Sequence, residues 1–137
     1  MISTFDKAVF LRDIDIFSSV KTEELLRIAE ISTEVCFDAG HPLFSEGDPG
    51  DSLFFVTEGR VELKTRGKTE FTVEGKGSVG SYALLTQSPR YFTAVAAERT
   101  CALRIPALEF MDMLSENGEI AVSMLRHLAL KVVDKWT

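Results

Sequence analysis

At 137 residues the chain carries one domain's worth of sequence, and a chain of that size buries about two thirds of its unfolded surface without help from a metal or disulfides. Hydrophobic residues make up 45% and charged residues 26%, globular values that exclude a disordered tail. Lys and Arg total 15 against 21 Asp and Glu, a net charge of -6, which argues against a nucleic-acid-binding surface spread over the domain. No apolar run is long enough to span a bilayer, and the N-terminal Met1-Ile2-Ser3-Thr4-Phe5-Asp6-Lys7 lacks the basic-then-apolar order of a signal peptide. The expectation is a soluble, cytoplasmic chain without membrane contact.

In chain order, Val9-Phe10-Leu11 and Ile14–Phe17 read as a short helical or irregular lead-in. Lys21–Glu34 has helical spacing, with Leu25, Ile28 and Ala29 on one face, a cap near Thr22, and Glu23 and Glu24 in the first turn. From about Val35 the texture changes, and eight of the nine glycines fall between Gly40 and Gly80. Between them lie the strand-like runs Glu34–Phe37, Pro42–Ser45, Leu53–Thr57, Val61–Arg66 and Glu70–Val73, followed by Thr93–Ala97 and Ala102–Ile105. Leu53-Phe54-Phe55-Val56 is continuous and predicts a strand buried on both faces. From Pro106, expected at a first helical position, the period is helical again until Asn117-Gly118. A last helix of about five turns runs from Glu119 to Trp136, with Ala121, Leu125, Leu128 and Val132 at coiled-coil seam spacing. The fold class is therefore mainly β with flanking helices: a jelly-roll (double-stranded β-helix) barrel with an N-terminal helix and a C-terminal helix pair. The expected divisions are 1–33, 34–105 and 106–137 of a single domain.

Cys36 and Cys101 show no paired spacing and lie in strand-like runs, so each reads as a small buried hydrophobe. His41 and His127 are too few and too far apart for a metal-dependent jelly-roll enzyme, and no metal or cofactor is expected. No Ser/His/Asp or Cys/His set has catalytic spacing, and Glu23-Glu24 lie on an exposed helix face, so no enzyme is expected.

Two stretches carry functional information. Gly47-Asp48-Pro49-Gly50-Asp51 is a tight turn feeding the buried run Leu53–Val56, and Glu58-Gly59 is a second turn feeding an amphipathic strand. Read alone, this stretch is structural. In Ser78-Val79-Gly80-Ser81-Tyr82-Ala83-Leu84-Leu85, a glycine precedes a helical turn whose free N–H groups converge on one spot. Arg90, beyond Thr86-Gln87-Ser88-Pro89, can fold back over that turn and hold a phosphate through two parallel hydrogen bonds.

Both stretches resemble the cyclic nucleotide-binding domain family. The first matches its G-D-x-G-D turn, and the second its phosphate-binding cassette at Gly80, Ala83, Leu84, Leu85, Pro89 and Arg90. The resemblance runs from about Val9 to Lys135. It implies a regulatory sensor that binds a cyclic mononucleotide of the cAMP or cGMP type. The site residues it points to are Gly80, Ser81, Tyr82, Ala83, Arg90 and Tyr91, with signalling through the C-terminal helices. Ser81 stands where the family has the acidic acceptor of the ribose hydroxyl, and a neutral acceptor is weaker by a factor of about two. Tyr91 and Phe92 replace the small residues that follow the arginine. Phe92 is expected in the core, whereas Tyr91 is left to fill the phosphate site or to stack on what binds there.

The competing reading is a degenerate pocket filled by its own side chains, with the domain serving as an interaction or dimerisation scaffold. The last helix likewise has two readings. Its apolar stripe packs on the barrel, or it moves as a lid and pairs with its copy in a homodimer, with Trp136 capping a base or filling a contact. The chain ends at Thr137 without room for a helix-turn-helix, so no direct DNA binding is expected of it. The protein partner or effector domain is not legible.

Overall fold

The glycine-punctuated stretch resolves into eight strands among the described residues of a computed structural model, which covers 2–18 and 20–136 except the side chains of 15, 131 and 134–136. The chain divides into two compact units: residues 32–107, and residues 2–31 together with 108–136.

The first unit holds β1 (Thr33–Phe37), β2 (Pro42–Phe44), β3 (Ser52–Glu58), β4 (Val61–Thr65), β5 (Lys68–Val73), β6 (Ser78–Val79), β7 (Thr93–Ala96) and β8 (Thr100–Pro106). They form two four-stranded sheets, ordered β1-β8-β3-β6 and β2-β7-β4-β5, and every pairing is antiparallel. This is the jelly-roll arrangement expected from the sequence, built as two sheets and not closed into a barrel. Between the sheets, Phe54, Val56, Val79 and Ala102 from one meet Val61 and Ala94 from the other. β3 is buried on both faces over Ser52–Val56, as its continuous apolar run predicts. The two-residue β6, too short to show a period, was not legible; it pairs Val79 with Phe54.

One turn needs its glycine for more than conformation. A Cβ on Gly59, at φ +94°, would lie 2.6 Å from the Arg99 carbonyl oxygen and 2.7 Å from Thr100 Cα. The fully buried Thr100 fastens this corner, its hydroxyl accepting from the Arg60 N–H at 3.1 Å.

The cysteines depart from expectation. They are not separate hydrophobes: β1 and β8 place Cys36 directly opposite Cys101, and the two form a disulfide across 65 residues of sequence. Cys101 is buried while Cys36 is exposed. The pairing is a consequence of register, which spacing along the chain does not encode.

The second unit comprises α1 (Thr4–Arg12), a 3-10 turn (Asp15–Phe17), α2 (Thr22–Ile31), α4 (Ala107–Glu116) from its second residue, and α5 (Gly118–Trp136). A capping box starts α1: Ser3 Oγ accepts from the Asp6 N–H at 3.1 Å, and the Asp6 carboxylate accepts from the Ser3 N–H at 3.4 Å. α2 buries Leu25, Ile28 and Ala29, the face predicted. Phe17 and Phe110, both fully buried, meet edge to face with ring centroids 6.5 Å apart. The Arg27 guanidinium joins α2 to α4 by donating to Glu116 at 3.0 Å; that bond, with the charges of Glu24 and Glu116, holds it above its ordinary pKa.

Two details differ from the sequence reading. Pro106 is the last residue of β8 and pairs with Ser52, so the helix opens at Ala107. In α5 the buried face is Ile120, Ser123 and Met124, whereas Leu125, Leu128 and Val132 of the predicted seam are exposed. The fourth residue of that stripe, Ala121, is half-buried. Trp136, proposed above as a cap or contact, has its side chain outside the described residues.

Candidate anion-binding site

Backbone hydrogen bonds bring the two informative stretches together. The Gly47 N–H donates to the Arg90 carbonyl at 2.9 Å, and the Arg90 N–H donates to the Asp48 carbonyl at 2.8 Å. Beside this bridge lies α3 (Ser81–Thr86), preceded by Gly80 in the left-handed region at φ +98°. A Cβ on Gly50 would sit 2.7 Å from Ala83 Cβ, and one on Gly80 would sit 2.6 Å from Arg90 Nη1. Both glycines are thus required by close approach: one seats the turn on the helix, the other makes room for the guanidinium.

Arg90 folds back over the turn as the sequence predicts, but it does so buried, its side chain 1% exposed. Nη2 donates to the Ser52 carbonyl at 2.9 Å and to its hydroxyl at 3.3 Å, and Nη1 donates to the Gly80 carbonyl at 3.3 Å. The guanidinium carbon lies 4.0 Å from the Phe44 ring centroid, a cation–π contact. Asp51 stands between two arginines, 3.5 Å from Arg90 Nη2 and 3.7 Å from Arg104 Nη2. Burial holds the Arg90 pKa below its ordinary value; Asp51 and Asp48 act against that fall and Arg104 adds to it. Arg90 Nε is the one buried side-chain polar atom without a hydrogen-bond partner among the described residues. An unmade bond of that kind costs about 1–3 kcal/mol.

The remaining predicted residues surround this centre. Ser81 is half-exposed at the first position of α3, and Ala83 is buried against Gly50. The first-turn N–H groups of Ser81 and Tyr82 lack i−4 acceptors within α3 by helix geometry. Tyr82 and Tyr91 are exposed, and their rings meet with centroids 5.8 Å apart. Tyr91 therefore does not fill the space around the guanidinium. Phe92 is also not in the core; it is half-buried, its ring 5.0 Å from Tyr91 and 5.8 Å from the exposed Phe71. The backbone after Arg90 leaves Tyr91 exposed and Phe92 half-buried, their rings meeting edge to face.

Ser52, Asp51, Arg104 and Phe44 were not anticipated as site residues. The first two lie in the G-D-x-G-D turn and its exit, where a signal existed and was read as structural. Nothing in the sequence marks Phe44 or Arg104, which β2 and β8 deliver from elsewhere in the chain. No cluster of three or more His, Cys, Asp or Glu suited to a metal occurs among the described residues, and no described helix is long and apolar enough to cross a membrane.

The first unit is thus a two-sheet β-roll that carries a glycine-started helical turn and a buried, folded-back arginine. The sequence model of the cyclic nucleotide-binding domain matches residues 34–117, and the chain belongs to that family. A putative cyclic nucleotide-binding protein from Geobacter metallireducens has a similar structure, with a TM-score of 0.80 at 26% identity and all of both chains covered. The CRP-like cAMP-activated global transcriptional regulator of Mycobacterium tuberculosis is 25% identical over 122 residues, 85% of this chain and 54% of its own length. The cAMP-dependent protein kinase regulatory subunit of Debaryomyces hansenii is 28% identical over 116 residues, 83% of this chain and 25% of its own length. The chain thus spans between a quarter and about half of these two relatives. It is a cyclic nucleotide-binding-type regulatory domain.

Proposed function

We propose that the residue 32–107 unit binds a cyclic mononucleotide of the cAMP or cGMP type, with its phosphate on Arg90 and on the first N–H groups of α3. The observation that carries this reading is the orphaned Arg90 Nε. A buried donor left unmade in a guanidinium whose other nitrogens are bonded is the edge that a phosphate oxygen completes. Ser81 replaces a charged acceptor of the ribose hydroxyl with a neutral one, so discrimination against a 2′-deoxy ligand is weak. The signal is a population shift of α4 and α5, which follow β8, toward the arrangement that binds ligand more tightly. The exposed apolar side chains Val122, Leu125 and Val132 of α5 support pairing with a second copy or an effector domain.

A second reading is favoured by one observation: the Arg90 side chain is already held by Ser52 and Gly80 of its own chain. In that reading the pocket is closed and the domain is an interaction scaffold. Thermal unfolding with and without cyclic AMP and cyclic GMP separates the two. Ligand at a hundred times its dissociation constant adds about 2.7 kcal/mol, a shift of several degrees. A shift abolished by Arg90→Glu supports the sensor; no shift at millimolar nucleotide supports the scaffold.

A further inference from the structure

The disulfide lies outside the anion site and the family's cassette does not use it. Its two sulfurs sit in different surroundings. Cys36 is on β1, at one end of the sheet order β1-β8-β3-β6, and is exposed to solvent. Cys101 is on β8, which is paired on both sides, and is 4% exposed. A thiolate approaching from solvent therefore meets the exposed residue of the pair, Cys36. Exposed disulfides are the ones that exchange, whereas structural ones are shielded.

The bond is also not what holds the strands together. β1 pairs with β8 from Thr33↔Arg104 through Phe37↔Thr100, so the ladder extends to both sides of the cysteine pair. A chain of this size does not require a disulfide to fold. With the bond open, the register still holds the two thiols opposite each other. That arrangement makes Cys101 a resolving thiol and the couple reversible. In a reducing compartment, the location expected from the sequence, disulfides are transient and serve catalysis or redox sensing.

We propose that Cys36–Cys101 is a reversible thiol–disulfide exchange site whose partner is a small or protein thiol. A partner thiolate attacks Cys36 Sγ; its bond to that sulfur forms as the Cys36–Cys101 bond breaks. The leaving Cys101 sulfur takes the electron pair and then the proton the partner thiol gave up. A second partner thiol then attacks the partner's sulfur in the mixed disulfide and leaves Cys36 as a thiol. The protein disulfide is reduced by two electrons, and two partner thiols are oxidised to one disulfide. If no second thiol arrives, Cys101 returns to Cys36 Sγ and expels the partner. Steric access selects the sulfur, because attack at Cys101 requires entry to a buried position.

The test uses the oxidised full chain and reduced glutathione under native conditions, quenched by alkylation and read by mass spectrometry. We expect the folded protein to react within a hundredfold of the rate for the same disulfide in denaturant, and every trapped glutathionyl group to sit on Cys36. Replacing reduced by oxidised glutathione should restore the intramolecular disulfide, the mixed disulfide on Cys36 closing onto Cys101 and releasing reduced glutathione at a rate independent of protein concentration. Reaction slower than that hundredfold limit, adducts on Cys101, or reoxidation to covalent dimers would overturn the proposal. A protein that stays two hydrogens heavier after treatment with oxidant would do so as well. None of these readouts depends on nucleotide binding.

Discussion

Replacing Arg90 by methionine tests whether the guanidinium is part of the fold or only a reserve for ligand. The substitution keeps most of the buried stem volume and removes the charge. It loses the 2.9 Å bond to the Ser52 carbonyl, worth about 1.5–3 kcal/mol for a charged donor. It also loses the stack on Phe44, worth up to about 2 kcal/mol in a dry site. Against these stands the relief of the unpaired Nε, about 1–3 kcal/mol. The Ser52 and Gly80 carbonyls are left without this donor, which moves the balance toward loss. The net expectation is destabilisation of about 1–3 kcal/mol, or a fall in Tm of about 4–12 °C. Urea unfolding followed by circular dichroism measures it as a lower midpoint at unchanged slope. A variant as stable as its parent, or more so, would refute the view that Ser52, Gly80 and Phe44 hold the arginine productively. It would mark the buried guanidinium as a stability cost retained for an anion.

Four further outcomes follow from the same geometry. Gly80→Ala combines a left-handed φ with a Cβ 2.6 Å from Arg90 Nη1; it should cost about 1–3 kcal/mol in unfolding experiments and weaken any nucleotide-induced thermal shift by displacing the guanidinium. Gly59→Ala meets backbone atoms of Arg99 and Thr100 that cannot move aside, so its melting temperature should fall further than that of Gly80→Ala, and equal stability would contradict the tight corner. Phe17→Ala removes a fully buried ring packed on Phe110 and should lose about 3–5 kcal/mol by chemical denaturation; a loss below about 1 kcal/mol would show that the site collapses around the gap. Leu125→Glu, on the exposed face of α5, should leave monomer stability within about 0.5 kcal/mol, while sedimentation should show loss of a dimer if α5 pairs with its copy.

The sequence by itself determined most of the strands and helices, though not the two-residue β6 or the end of β8 at Pro106, because periodicity and glycine punctuation are local properties. The continuous run Leu53–Val56 announced a strand buried on both faces, and Leu25, Ile28 and Ala29 announced the inner face of α2. It also placed Gly80 and Arg90 side by side, since a glycine-started turn and an arginine a short loop later can meet without long-range information. What only the tertiary structure decided was everything set by register and by approach between distant strands. Phe44 on β2 and Ser52 on β3 come to Arg90, and Arg104 on β8 to the Asp51 beside it, from three separate stretches. That convergence also explains why the arginine is buried. Phe92 was assigned to the core on hydrophobicity alone, but the backbone leaving Arg90 carries it to the surface, where Phe71 and Tyr91 receive its ring. The cysteines are the plainest instance: nothing along 65 residues of chain links them, and one antiparallel ladder sets them face to face. Side-chain type fixes local conformation, whereas a contact across a sheet depends on how every intervening turn closes.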